Sequence, residues 1–521
     1  MRRRTRLLLT SAVCCATLVL GACGGGGDST TPATGASGKP VAGGHGRILT
    51  LSDLRSLDPG TIGNAYASTG VVGNALYGTL MTNDEGGKIR YQMAESFTTT
   101  DNGSTFTLKL RPGLVFSDGT PLNAEAVKFN WDRVKDPATG SPHRSEAAMI
   151  ASTEVVDDVT LTATMVTAVP KYAQSVVTSS LNWIASPAAL RKGAAAFDAD
   201  PIGAGPFTLK SWTRQAAMEL VKNPRYWDAP KPYLDTLTFQ TALDSNQRYN
   251  TLQTGGADVA VESNPVNFDK ADKAGLPNTV MELSGGLFMA LNTRRAPFDD
   301  VRARQAVAAA LDLDALNLAT YNGTGTPVDT LFSKTSPFYS DTPLRKEDKA
   351  TAQRLFDELA ADGKPVSFTI STAPTTESRT TAENIQAQLG TFKNVKVQVK
   401  VIEVADVVSL RTTHDFDATT SSSFFQDPEP RLWTNFSGAS PANLTGIADK
   451  ELDDALLAGR TAASEQDREK AYDTVQRRLT ELAPVVFFTR AEPGAIAGED
   501  VGGLTQYGLG SLLPEELWIQ K

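Results

Sequence analysis

From residue 46 to the C terminus, short runs that alternate apolar and polar residues are interleaved with apolar stripes at helical spacing, and this confines the chain to an α/β architecture. Phe106, Leu108 and Leu110 alternate with Thr105, Thr107 and Lys109, which predicts a half-buried strand; Asp101-Asn102-Gly103-Ser104 before it reads as a hairpin turn. Asn123 is placed to cap a helix in which Val127, Trp131 and Val134 share one face. Asp299 or Asp300 begins a second helix, with Ala303, Ala306, Val307, Ala310 and Leu311 on its buried side. Ala471, Val475, Leu479 and Leu482 form a third stripe, closed by Pro484 and followed by the strand-like run Val485-Val486-Phe487-Phe488. No run after residue 20 is long and apolar enough to cross a membrane.

The N terminus has a different logic. Arg2, Arg3, Arg4 and Arg6 precede an apolar run over residues 7–20, a length suited to an export signal and short of a spanning helix. Leu20-Gly21-Ala22-Cys23 resembles the lipobox of bacterial lipoproteins, so residues 1–22 are expected to be removed and Cys23 to be lipidated. Residues 23–45, rich in Gly, Ser, Thr and Pro, then form a flexible tether holding the body on the extracytoplasmic face of the cell membrane. Without the four leader arginines the body carries 46 basic and 59 acidic residues, a net charge of −13. Such a body repels nucleic-acid phosphate, and no nucleic-acid partner is expected.

Motifs for chemistry are missing. The chain has no G-x-x-x-x-G-K-[ST] loop, no G-x-S-x-G elbow, no H-E-x-x-H pair and no C-x-x-C. Gly203-Ala204-Gly205-Pro206 is a turn entering the strand at Phe207. The three histidines, at 45, 143 and 414, are too far apart to share a helix or turn, and His414 alone is a thin basis for nickel. No cofactor and no metal is expected.

The stretch from Met93-Ala94-Glu95-Ser96-Phe97 through Phe106-Thr107-Leu108-Lys109-Leu110-Arg111-Pro112-Gly113 to Phe116-Ser117-Asp118-Gly119-Thr120-Pro121-Leu122-Asn123 resembles the signature of family 5 extracellular solute-binding proteins. Four further stretches match in order: Gly203-Ala204-Gly205-Pro206-Phe207 with Asn223-Pro224-Arg225-Tyr226-Trp227, Leu252-Gln253-Thr254-Gly255, Leu291-Asn292-Thr293 with Pro297-Phe298-Asp299-Asp300, and Ala382-Glu383-Asn384-Ile385-Gln386. The resemblance implies a two-lobed periplasmic-binding-protein-like fold that closes on a peptide or small organic solute and hands it to the permease subunits of an ABC importer. Lobe I would comprise residues 46–284, with a subdomain inserted over about 77–198, and a C-terminal return at 490–521; lobe II would comprise 285–489. Two crossings, near 288–292 and 487–490, would form the hinge, and a monomer is usual for the family.

By the same resemblance the ligand pocket draws on Tyr66 after the first strand, Phe288 at the hinge, and Phe424, Phe425, Asp427, Arg431 and Trp433 of a proline-rich lobe II loop. Peptide binders of the family usually carry an aspartate three residues before the Asp-Pro pair to meet the ligand's ammonium group; here that position is Phe424, which points away from a standard dipeptide. Asp427 could supply a polar anchor or simply cap the local backbone. Two other functions remain open to a chain of this composition: an exported carboxylate-dependent hydrolase, and a surface lipoprotein that binds a protein or lipid partner without an enclosed cavity.

Overall fold

The computed structural model describes residues 36, 38–64 and 69–520. The export signal, Cys23, most of the tether and Tyr66 therefore lie outside the described residues.

Strand His45–Thr50 is the parallel centre of a seven-stranded mixed sheet, flanked by Thr236–Thr241 and Val259–Glu262. Its outer strands are Ala217–Lys222 and Phe207–Thr213 on one side, and Gly494–Ala497 and Asn278–Val280 on the other. Gly494–Ala497 arrives from the far end of the chain and pairs antiparallel with two neighbours, so a C-terminal segment completes the sheet that the first strand began. A second sheet of five strands runs Val395–Val401, Val366–Thr372, Ala418–Phe425, Ser284–Leu291, Val485–Thr489. The third, a four-stranded antiparallel sheet of Ala94–Thr98, Thr105–Leu110, Thr160–Met165 and Ile150–Asp157, packs its apolar face on helix Ala124–Lys135. The chain leaves the seven-stranded sheet for the five-stranded one across residues 281–283 and returns across 490–493. Phe288 to Asn292, expected as a crossing, instead runs through the second half of strand Ser284–Leu291 and just past its end.

The local readings hold where sequence dictates them. Asn123 Oδ1 accepts the Ala126 N–H at 3.1 Å, and Val127, Trp131 and Val134 are buried. Asp300 rather than Asp299 caps helix Val301–Ala310, accepting the Arg302 N–H at 3.0 Å. Strand Thr105–Leu110 buries alternate residues, and Asp101 Oδ1 ties the preceding hairpin by accepting the N–H groups of Ser104 and Thr105. Helix Glu465–Leu482 ends at Ala483 in the left-handed region, and all of Val485–Thr489 is buried. Among the described residues no helix is long and apolar enough to cross a membrane.

Candidate functional site

The segment from Ser421 to Trp433, read from sequence as one loop, is three things. Ala418–Phe425 is a strand inside the five-stranded sheet, residues 426–430 turn, and Arg431–Phe436 is a short helix. The run Thr419-Thr420-Ser421-Ser422-Ser423 carries no large strand-forming side chain, which is why pattern alone left it a loop; pairing with Ser284–Leu291 over eight positions overrides that weak local preference.

Strand parity then separates the two phenylalanines. Phe425 is buried in the core with its ring 5.8 Å from Phe332, whereas Phe424 points the other way and packs, half-buried, against Met281, Leu283 and Leu509. Phe288 is also a core residue, its ring edge-on to Phe487 at 5.2 Å, whereas Phe425, though packed in that core, also borders a cavity of about 170 Å³ together with Gln426 and Asp427.

The charges of the turn are largely paired by arginines of two later helices. Asp427 Oδ1 accepts from Arg468 Nη2 at 2.6 Å and from the Glu429 N–H at 2.9 Å, so the carboxylate caps the local backbone while also bordering a cavity. Glu429, buried, accepts from Arg460 Nε at 3.0 Å and Nη2 at 2.6 Å. The Arg460 guanidinium lies 4.1 Å from the Trp433 ring centre, a cation–π stack that fixes the tryptophan. Burial pushes the Glu429 carboxyl up and Arg460 opposes it. Arg431, by contrast, is half-buried with no hydrogen bond or ion pair among the described residues.

Side chains before residue 281 reach residues of the 285–489 segment through a few polar contacts, one of them at this turn. Asn83 Nδ2 donates to Gln426 Oε1 at 2.7 Å, and Gln426 Nε2 donates to the carbonyls of Asp84 and Glu85, each at 3.2 Å. Glu377 Oε1 accepts from Ser245 Oγ at 3.1 Å and from Asn264 Nδ2 at 3.0 Å. Lys171 pairs with Glu465. A cavity of about 270 Å³ is lined by Glu377, Arg411, Ser421 and Ser422, and one of about 740 Å³ follows the crossings past Glu282, Arg490 and Glu492. Sequence reading did not single out Gln426 within the segment it read as a loop, nor Glu377 or Arg411: each is an ordinary polar residue, and only the tertiary fold gives it a partner.

His143 is buried, and burial together with the Arg431 charge lowers its pKa to about 3. The Ser180 N–H donates to Nδ1 at 3.2 Å, which requires that nitrogen unprotonated. The folded value lies below the usual 6.5, so the unfolded chain takes up a proton that the native chain refuses between those limits. Stability is fully present above pH 6.5 and falls toward pH 3 with a slope of about 1.4 kcal/mol per unit from this residue. His143→Gln is expected to flatten that part of the acid limb in urea titrations at stepped pH; an unchanged slope refutes the assignment. His414, the left-handed cap after helix Val404–Thr413, lends its carbonyl to Asn292. Among the described residues no cluster of three or more His, Cys, Asp or Glu is arranged for a metal ion.

A family model described as bacterial extracellular solute-binding proteins, family 5, matches residues 88–443. The chain belongs to that family. The glutathione-binding protein of Pectobacterium atrosepticum is 31% identical over 366 residues, covering 68% of this chain and 69% of that protein. Its counterpart in Escherichia coli strain K12 is 29% identical over the same shares of each chain. Among solved structures, the binding protein AgaA of A. tumefacien R10 in complex with agropinic acid superposes with a TM-score of 0.81 at 25% identity, over 92% of this chain and 99% of that one. The Helicobacter pylori protein DppA in complex with the peptide STSA gives 0.80 at 22% identity over the same shares. The family 5 fold is thus the two-lobed α/β binding-protein fold, and its members are extracytoplasmic solute-binding proteins of transport systems.

Proposed function

We propose that this chain is the lipid-anchored receptor of an ABC importer, delivering a peptide or similar organic solute to the permease subunits. Family membership carries the reading, and the position of the turn supports it: Gln426 is joined to Asn83, and Glu377 to Ser245, by few polar contacts between residues 46–284 and 285–489. Residues 46–284 with 490–521 act as one lobe, with the subdomain at about 77–198 inserted in it, and 285–489 as the other. The crossings at 281–283 and 490–493 serve as hinge. Closure draws only on the difference in ligand affinity between open and closed forms, so the guest leaves chemically unchanged. The lipid on Cys23 keeps the receptor close to its transporter and raises effective concentration without fixing orientation. Relatives named for glutathione and complexed with agropinic acid or a peptide support an organic guest.

Two measurements test this. Cys23→Ser is expected to move the protein from the membrane fraction to the medium; retention on the membrane counts against the anchor. Protein stripped of bound solute by unfolding and refolding is expected to contract in solution scattering when a native growth extract is returned, with native mass spectrometry showing an unaltered added mass. An unchanged radius with extract present, or recovery of a chemically modified guest, defeats the receptor reading.

A further inference from the structure

Two groups of polar contacts, away from the crossings, join residues 46–284 to residues 285–489. The smaller is Glu377 with Ser245 and Asn264. The larger belongs to the subdomain inserted at about 77–198. Asn83 Nδ2 donates to Gln426 Oε1 at 2.7 Å, and Gln426 Nε2 donates back to the carbonyls of Asp84 and Glu85. Lys171 pairs with Glu465, which also meets Arg468 Nη1 at 3.4 Å. Arg460 Nη2 lies 3.8 Å from Met149 Sδ. Three residues before Met149, Glu146 is buried; burial pushes its carboxyl up, and the charges of Arg431 and Arg460 oppose the shift. Three stretches of the subdomain, 83–85, 146–149 and Lys171, therefore face turn 426–430 and the helices around it. No apolar core spans this seam. Among the described residues, the buried cluster that holds Trp131 and Tyr172 contains nothing from 285–489, and the cluster that holds Phe425 and Tyr472 contains nothing from 46–284.

We propose that the inserted subdomain is a clasp on lobe II: through Gln426 and Glu465 it holds the closed form, and so tunes solute affinity by contacts between the lobes rather than with the solute. This rests on the receptor reading above and names the device that biases its closure. A contact present in the closed form and absent from the open one shifts the equilibrium by its differential worth, whatever the guest. The composition of the seam suits a contact that must part. Hydrogen bonds and a half-exposed ion pair exchange readily with water, whereas a shared core would not. The cavity of about 170 Å³ bordered by Lys171, Gln426 and Glu465 leaves room for that water. Parting strands neither end: Asn83 Nδ2 keeps Gln174 Oε1 at 3.1 Å, and Glu465 keeps Arg468. On the lobe II side the support is stiff, because Asp427 and Glu429 are tied to Arg468 and Arg460, so Gln426 is presented in a fixed place.

The test places spin labels at Val156→Cys, on the exposed edge strand of the subdomain, and at Lys450→Cys, at the exposed start of helix Lys450–Thr461, in mature protein carrying Cys23→Ser. Label separation is read by double electron–electron resonance in protein stripped of solute. Gln426→Ala/Lys171→Met is expected to lower the ratio of short to long separations about tenfold, the worth of a few net hydrogen bonds and one half-exposed ion pair. Its Tm should stay within about 2 °C of wild type, since no buried charge is left alone. Lys171→Arg is expected to keep the wild-type ratio. Should the double variant fail to fold, Lys171→Met alone is expected to lower the ratio about twofold. Identical separations in wild type and the double variant, or equal ratios for Lys171→Met and Lys171→Arg, overturn the proposal. Native growth extract decides the receptor reading separately. Shortening of the wild-type separation by extract, with unchanged ratios in the stripped variants, keeps the receptor and removes the clasp; a lowered ratio in the stripped double variant, with no response of wild type to extract, does the reverse.

Discussion

Arg460→Met is expected to lose about 3–5 kcal/mol of stability at neutral pH, the range for breaking a buried pair by removing one partner. The side chains of Arg460 and Glu429 are 8% and 2% exposed, so the stranded carboxylate has no water to turn to. Asp427, held nearby by Arg468, adds repulsion, and Trp433 loses the cation stacked on its ring. The sign of the pH dependence is fixed by linkage. Glu429 already has a raised carboxyl pKa from burial, and without Arg460 it rises further. Below the unfolded value both states are protonated and the variant is close to wild type. As pH climbs from about 4.5 through the folded value, the unfolded chain releases a proton that the native chain keeps, and stability falls. Urea denaturation at pH 4 and pH 7.5 should therefore show a small deficit at the first and the full one at the second. Arg460→Met/Glu429→Gln should recover most of the loss, because deleting both charges removes the buried imbalance. A pH-independent deficit that the double variant does not relieve would show that packing, not charge, holds the turn.

Gly285→Ala is expected to cost about 3 kcal/mol or more and to abolish solute binding. Two effects add. Gly285 has φ of +71°, a conformation that costs an L side chain roughly 1–2 kcal/mol. A Cβ there would also collide with the carbonyl oxygen of Ser423 and lie 3.1 Å from Phe425 Cε1, driving strand Ser284–Leu291 away from Ala418–Phe425. Ala418–Phe425 is the strand that leads into turn 426–430. Gly363, with φ of +75° and nothing within 4 Å of its would-be Cβ, supplies the control. Gly363→Ala should show the conformational cost alone, about 1 kcal/mol, and leave binding intact. Equal losses at the two positions would mean that the close approach of the strands contributes nothing.

The two variants probe the same turn from opposite sides. Arg460 holds residues 427–430 down onto helix Lys450–Thr461, and Gly285 lets the neighbouring strand come close enough to hold their entrance. Between them the start of helix Arg431–Phe436 is fixed, and with it the position of Arg431. A side chain on a short helix is only as well placed as that helix's anchors.

Sequence by itself determined what depends on near neighbours. Caps at Asn123 and Asp300, the alternation through Phe106, Leu108 and Leu110, and the stop at Pro484 follow from chemistry within four or five residues, and the ordered motifs between Met93 and Gln386 placed the chain in its family. Tertiary structure decided the site. Whether Phe424 or Phe425 faces the core turns on the register of one strand, where a slip of a single residue exchanges the two faces. That Asp427 meets Arg468 turns on a helix 41 residues away, and the bond from Arg411 to Ser421 on a strand that no propensity marks. Charge pairing acts through space at a few ångströms regardless of separation along the chain, so a linear pattern finds the turn and cannot say which of its charges is already taken.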